Sequence, residues 1–379
     1  MSAARTRGLC AVGAVGALAL LECRSIPPRA GARSDASALP SASAAAPAPV
    51  TTEPPPRARF ARELDATSFK KGNVHTHSNV SDGDSSPETV VRWYRDHGYD
   101  FLAMTEHHVL LDPKLLAPLE TDTFKLVSGE EITMTGAGKQ VHVNGLCIRA
   151  AIQGGTYATP RDALDHAIAA VAAQDGVSII NHPNFEWALE VDDVRRSEGA
   201  TLLEVASGHP FVNTAGACDP GSPCRPSHEA LWDAALSAGR DFGPVAVDDA
   251  HKFKPPRQSL EARAGRAWIQ VFSSEGDATA LCAHLRAGEL YASTGAEITR
   301  FRVHDDRMTV WPRSTDAEVE FVGRGGVVLD LHRVTAEEAG ARSYVADGSE
   351  GYVRARVREP SGALAYLPAV RVLRHDAPP

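Results

Sequence analysis

The chain has 379 residues, 43% of them hydrophobic, with 39 Lys and Arg against 48 Asp and Glu and a formal net charge of -9. That length accommodates one large core or two smaller ones, and the ordinary apolar fraction excludes a bundle of membrane helices. The acidic balance, with no long basic stripe, argues against nucleic acid as a partner; a small anionic substrate stays open, because bound metal reverses a local field.

Arg5 and Arg7 precede an apolar run from Leu9 to Leu21, too short for a comfortable membrane span and shaped like an export signal over residues 1–23. Leu20-Leu21-Glu22-Cys23 is similar to a bacterial lipoprotein cleavage box, with Glu22 where a small residue is expected. Cys23 is therefore either a lipidated first residue or a stray Cys behind an ordinary signal peptide. The expected location is the periplasm, the outer membrane through a lipid anchor, or the medium, and the anchor is the sole membrane attachment expected. Residues 24–59, dominated by Ala, Pro and Ser, cannot bury enough apolar area to fold and read as a disordered linker. Cysteine usage fits an oxidising compartment. Cys218 and Cys224 flank a turn-rich loop and are expected to pair, whereas Cys147 and Cys282, in apolar or helical surroundings, read as buried free thiols.

A folded domain is expected over residues 60–300. Its first strand, Asn73 to His77, places His75 and His77 on the same side, with Asp82 after a short polar turn. Ser86 as N-cap and Pro87 at N1 begin a helix carrying Val90, Val91, Tyr94 and His97 to Gly98. Phe101 to Thr105 is a wholly apolar strand, with His107 and His108 just beyond it. Lys125 to Val127 leads into Gly129-Glu130-Glu131-Ile132, and Gln140 to Ile148 carries His142. A helix capped by Thr159 and Pro160 runs through Leu164, Ile168 and Val171. Val177 to Ile180 then ends on Asn181-His182-Pro183, Thr201 to Val205 ends near Glu204, and Gly243 to Val247 ends on Asp248-Asp249-Ala250-His251. From Thr299 onward the pattern turns to strands: Thr299 to Val303, Met308 to Val310, Glu318 to Val322, Val327 to His332, Gly351 to Val357 and Leu364 to Val372. They read as a small C-terminal β domain over residues 301–379.

Strand–helix–strand order predicts an α/β fold whose ligands bind beyond the carboxyl ends of the strands. The candidate strands deliver imidazoles or carboxylates there. A lone His at a strand end is more often structural, but so many ionisable groups on one face without a metal would cost desolvation and charge repulsion. Imidazole and carboxylate together suit Zn, Mn or Fe.

The pieces HTH at 75–77, SDG at 81–83, TEH at 105–107, GEE at 129–131, His142, NHP at 181–183 and DDAH at 248–251 resemble the PHP family, the polymerase and histidinol phosphatase superfamily of metal-dependent hydrolases. Leu202 to Gly208 and Gly265 to Thr294 look most like its exported CehA/McbA-like branch, related to carbaryl hydrolases. The resemblance implies an α/β fold, a distorted (β/α)7 barrel with two or three divalent metal ions at its mouth. One ion would take His75, His77, Glu131 and Asp249, a second Glu131, His142 and His182, and a third Asp82, His107 and His251. The GEE doublet leaves Glu130 as the alternative to Glu131 as the bridging ligand; Glu131 is favoured. Glu106 and Asp248 replace the commoner TDH and SDAH or SDSH residues, which bears on ion number and identity.

Such ions lower the pKa of a shared water and neutralise charge on the attacked group, so hydrolysis by a metal-bridging hydroxide follows. Glu131, Asp249 and His251 are assigned catalytic roles. A phosphoester substrate is preferred, with a carbamate, amide or carboxylic ester as the rival. Lys252, Lys254, Arg257 and Arg266 could meet a phosphate at the mouth or simply form a solvated loop. His108, Glu204 and His209 are candidates for substrate contact or proton transfer, with ordinary polar surface as the alternative. A non-catalytic metal-binding surface module is the reading from another class. The only partner expected is a small-molecule substrate, and oligomeric state is not legible.

Overall fold

The computed structural model describes residues 58–374 except 219, 222 and 259; the export segment, Cys23 and the linker up to residue 57 lie outside them. In chain order the elements begin with strands β1 (Ala58–Phe60), β2 (Leu64–Ala66) and β3 (Lys70–Asn73), helix α1 (Pro87–Asp96), β4 (Phe101–Ala103), α2 (Pro113–Leu116) and β5 (Lys125–Val127). Next come β6 (Gly129–Gly136), β7 (Lys139–Leu146), β8 (Thr156–Tyr157), α3 (Pro160–Ala172), β9 (Val177–Ile180), α4 (Val191–Arg196), β10 (Leu202–Ser207), α5 (His228–Ser237) and β11 (Gly243–Val247). β12 (Trp268–Val271), α6 (Ala278–Ala287), β13 (Leu290–Ser293), β14 (Ile298–His304), β15 (Arg307–Pro312), β16 (Ala317–Gly323), β17 (Val327–Val334) and β18 (Arg342–Val345) follow. The last strands are β19 (Tyr352–Arg358), β20 (Leu364–Tyr366) and β21 (Val370–Arg374).

The fold is mixed α/β. Helix α1 starts where the Ser86 side chain accepts from the Thr89 amide, with Pro87 at N1, and its Val90, Val91 and Tyr94 are buried. Helix α3 starts likewise at Thr159, which accepts from the Asp162 amide. With α1 between β3 and β4, α2 between β4 and β5, α4 between β9 and β10 and α5 between β10 and β11, the strands β3, β4 and β5 run parallel, as do β9, β10 and β11. Strands β6 and β7 depart from that alternation. They form an antiparallel hairpin closed by Ala137 and Gly138, both at positive φ (49° and 80°), the conformation a two-residue turn requires.

The ladders build an 11-stranded, a 6-stranded and a 4-stranded sheet. They close no barrel among the described residues, in contrast to the (β/α)7 expectation. The reason lies at β3, whose two edges are occupied, by β4 at Gly72 and Asn73 and by antiparallel β12 from Lys70 to Gly72. Only beyond Asn73 does this chain segment reach the end of β11, through the single bridge of Thr76 with Ala250; His107 meets Glu131 in the same way.

The C-terminal strands continue the largest sheet, because β20 pairs with β13 and β13 with β12. A buried ionic group ties them to α5: the Arg354 guanidinium donates to Asp233 at 2.7 and 2.8 Å and to Glu229 at 2.7 Å, and lies over the Trp232 ring. Pairing through Nε and Nη2 offsets the charge that burial would otherwise penalise, while Nη1 is buried without a hydrogen-bond partner.

Cys218 and Cys224 are disulfide-bonded, as their spacing suggests. Cys147 and Cys282 are bonded too, which corrects the free-thiol expectation. Their 135-residue separation hid the pairing: α6 packs beside the end of β7 and brings the Cα atoms to 6.1 Å, within bridging range.

Candidate metal centre

Past the carboxyl ends of β3, β4, β9 and β11, and from within β6 (Glu131) and β7 (His142), the chain brings nine side chains together, and Glu131 is their hub. Its Oε2 lies 3.1 Å from both His75 Nε2 and His77 Nε2 and 3.4 Å from His107 Nε2, while Oε1 lies 3.0 Å from His142 Nδ1 and 3.3 Å from His182 Nε2. Asp249 Oδ1 approaches His75 Nε2 at 3.3 Å and His77 Nε2 at 3.4 Å. Asp82 Oδ2 lies 3.3 Å from His251 Nε2 and 3.7 Å from His107 Nε2. His77, Asp82, His107 and His251 thus make one potential ligand group, His75, His77 and Glu131 another, and Glu131, His142 and His182 a third.

The rest of the chain aims these groups. His75 Nδ1 is 2.7 Å from the buried Glu204 carboxylate, His107 Nδ1 is 2.9 Å from Thr133 Oγ1, and His251 Nδ1 donates to the Asp249 carbonyl at 3.0 Å. In each ring the other nitrogen is left facing the cluster, the arrangement that presents an imidazole lone pair to a cation. Asn181 Nδ2 donates to Glu131 Oε1 at 2.9 Å. Gly83 turns the loop back so closely that a Cβ there would lie 2.6 Å from the His77 carbonyl, which explains a glycine after Asp82. Asp249 holds φ at 47°, a conformation that costs a non-glycine residue about 1–3 kcal/mol and persists where its surroundings over-determine it. Here its amide donates to the His75 carbonyl.

Glu106 and Asp248 support the loops. Glu106 accepts from the Ser78 amide and Ser81 Oγ, holding the segment that carries Asp82. Asp248 accepts from the amides of Gly265, Arg266 and Ala267, from Asn73 Nδ2 and from the Tyr94 hydroxyl. Burial still pushes its carboxyl up to about 6 against those donors. Glu130 faces away from the hub: both its oxygens accept from the Ile152 amide, and burial pushes it up to about 7. The geometry therefore favours Glu131 over Glu130.

Burial opposes charge at Glu131, Asp249 and His77, yet opposite charges overcome it there. Glu131 stays well below the usual carboxylate range because His75, His142 and His107 surround it, and Asp249 does so through His75, His77 and His251. Burial lowers His77, but Asp249 and Glu131 outweigh it and raise the ring to about 9. Burial dominates at His107, which falls to about 4. The field that holds a proton on His77 would equally favour a divalent cation. His75 Nε2, His77 Nε2 and both ring nitrogens of His142 are buried without a hydrogen-bond partner. Ring nitrogens left so, beside ionised carboxylates, fit a divalent metal ion.

The remaining candidates separate. Lys252 and His209 line the cleft over the cluster, a space of about 410 Å³ walled also by Phe185, Phe211, Val212 and Leu260. Glu204 sits beneath His75 rather than at the mouth. The Arg266 side chain is turned onto the Gly208 carbonyl, and Arg257 gives its backbone amide to Glu261; neither lines the cleft, nor do Lys254 and His108. The apolar wall was not legible in the sequence, where Phe185 opens a single 3₁₀ turn and Phe211 and Leu260 stand in loops, all without periodicity.

No family model matches the chain, and no curated protein matches it. Solved structures do. A two-domain protein from Bacteroides vulgatus, described as containing a predicted PHP-like metal-dependent phosphoesterase, is 14% identical with a TM-score of 0.43, the match covering 82% of this chain and 96% of that one. A Bifidobacterium adolescentis protein described as a putative metal-dependent phosphoesterase is 14% identical with a TM-score of 0.36, covering 50% and 90%. An amidohydrolase from Chromobacterium violaceum, with bound sulfate and no metal, is 16% identical with a TM-score of 0.32, covering 57% and 96%. Likenesses this distant carry no argument about activity, which is read from the cluster itself.

Proposed function

We propose that this chain is an exported metal-dependent hydrolase of the PHP type, CehA/McbA-like branch, acting on phosphoesters. The observation that carries the reading is Glu131, whose two oxygens face two different sets of buried imidazoles. His75, His77, Glu131 and Asp249 would hold one divalent ion, Glu131, His142 and His182 a second, and Asp82, His107 and His251 a third. Such ions, when bound, supply Lewis acidity and an activated water at neutral pH.

The chain's own residues orient, charge and enclose that site. Glu204, Thr133 and the Asp249 carbonyl fix three ring orientations. Lys252 is the cation at the cleft that can meet an anionic substrate oxygen. Phe185, Phe211, Val212 and Leu260 cover the non-reacting part of a substrate and exclude water from it. That apolar wall, with a lone Lys252 among the four basic candidates, favours the second reading: a carbamate, amide or carboxylic ester substrate.

Barrel closure belongs to the same proposal. Backbone hydrogen bonds run from His77 to Ala250, Thr105 to Thr76 and Glu131 to Glu106, which supports a distorted (β/α)7 ring joined at the ligand level. The two disulfides suit an oxidising compartment and support export.

The test is hydrolysis by purified protein reconstituted with Mn²⁺ or Zn²⁺ and by chelator-treated protein, on p-nitrophenyl phosphate, a phosphate bis-ester and a 1-naphthyl carbamate. Metal-dependent cleavage of either phosphate supports the first reading, and cleavage of the carbamate alone selects the second. Stoichiometric metal without turnover of any of them supports the non-catalytic module instead.

A further inference from the structure

His209 stands just past β10 at the cleft, its ring centroid 5.4 Å from that of His251 and 5.8 Å from that of Phe211. It belongs to none of the potential ligand groups around Glu131. The Phe211 amide donates to His209 Nδ1 at 3.2 Å. A nitrogen that accepts an amide proton carries none of its own, so the ring is neutral and its single proton sits on Nε2. Among the described residues nothing accepts from Nε2. The same geometry explains why His209 is no metal ligand: the lone pair on Nδ1 is engaged and Nε2 is protonated.

The segment is held still. His209 donates its own amide to Ser207 Oγ at 3.2 Å, and two residues after Phe211 the Asn213 side chain donates to the Asn184 carbonyl while Asn184 Nδ2 donates back to the Asn213 carbonyl. A fixed N–H donor beside a charge-developing centre stabilises a transition state without reorganisation.

We propose that His209 is a further catalytic residue, whose Nε2–H donates a hydrogen bond to the substrate oxygen on which negative charge grows. The proton remains on Nε2 throughout, and no bond to the ring forms or breaks. This role rests on the hydrolase reading.

The experiment compares metal-loaded full-length wild type with His209→Ala and His209→Gln, by metal content, steady-state hydrolysis of the substrate that wild type cleaves, and ¹⁵N NMR of the His209 ring at pH 7. Expected are unchanged metal content in both variants, the Nε2–H tautomer in wild type, and a kcat loss of about 10²–10³-fold in His209→Ala with little change in KM. His209→Gln, which keeps an N–H donor, recovers part of that loss. Metal loss in either variant, an Nδ1–H tautomer, or an unaltered kcat in His209→Ala overturns the role. A wild type inactive on all substrates overturns the hydrolase reading and this role with it, whereas an active wild type with unaffected variants overturns this role alone.

Discussion

Glu204 Oε1 lies 2.7 Å from His75 Nδ1, and the other oxygen of the same carboxylate accepts the His182 amide at 2.8 Å. One buried residue on β10 therefore sets the direction of an imidazole after β3 and the position of another after β9. Neither contact reaches the cleft.

Replacing Glu204 with Gln puts an amide beside His75 Nδ1 and frees the ring to turn or change tautomer. Metal affinity should fall about 10–100-fold, the usual effect of losing a group that orients a ligating histidine. Chelator competition with Zn²⁺ on the folded variant measures it; wild-type affinity would reduce Glu204 to a packing role.

Glu131 offers its two oxygens to separate imidazole groups, so Glu131→Ala should lower metal stoichiometry and abolish turnover together. Asp249→Ala and His75→Ala should also lose metal and activity. Elemental analysis of dialysed protein beside a turnover assay checks this, and full metal content in all three variants would sink the ligand assignment.

His228 is buried at the start of α5, its Nε2 near the Val212 carbonyl at 3.2 Å and its Nδ1 without a partner. Burial, aided by His182, pushes the ring down to about 3. A histidine lowered in the folded state stays neutral there while the unfolded chain protonates below about 6.5. Its contribution is thus fully present above about 6.5 and is lost as pH falls towards 3, at up to about 1.4 kcal/mol per pH unit. His228→Gln should show a shallower fall in denaturation midpoint between pH 6.5 and pH 4 than wild type. Parallel curves for the two proteins contradict this.

The Cys147–Cys282 bond closes a loop of 135 residues. On chain-entropy grounds, removing it should cost about 3–5 kcal/mol. Cys282→Ala, unfolded in urea without reductant, should show the loss as a lower midpoint; a midpoint within error of wild type would show that the folded state gains little from the bond.

The residues that gather at the hub were legible from the sequence, because HTH, TEH, NHP and DDAH each follow the end of a strand and GEE comes just after β5. The helix starts at Ser86 and Thr159 were legible for a similar reason: capping is local chemistry. The C-terminal strands showed in their alternation. What needed tertiary structure depended on contacts distant in the chain. Sequence could not separate Glu130 from Glu131; the hairpin of β6 with β7 decided it by turning one carboxylate to the histidines and the other to Ile152. Nor could local pattern reveal the Cys147–Cys282 bond, the Arg354 ion group or the place of Glu204 beneath His75, since each joins residues more than a hundred positions apart. The sheets stay open as ladders for the same kind of reason. β12 arrives late in the chain and pairs with one edge of β3, and alternation within either strand contains nothing of that pairing.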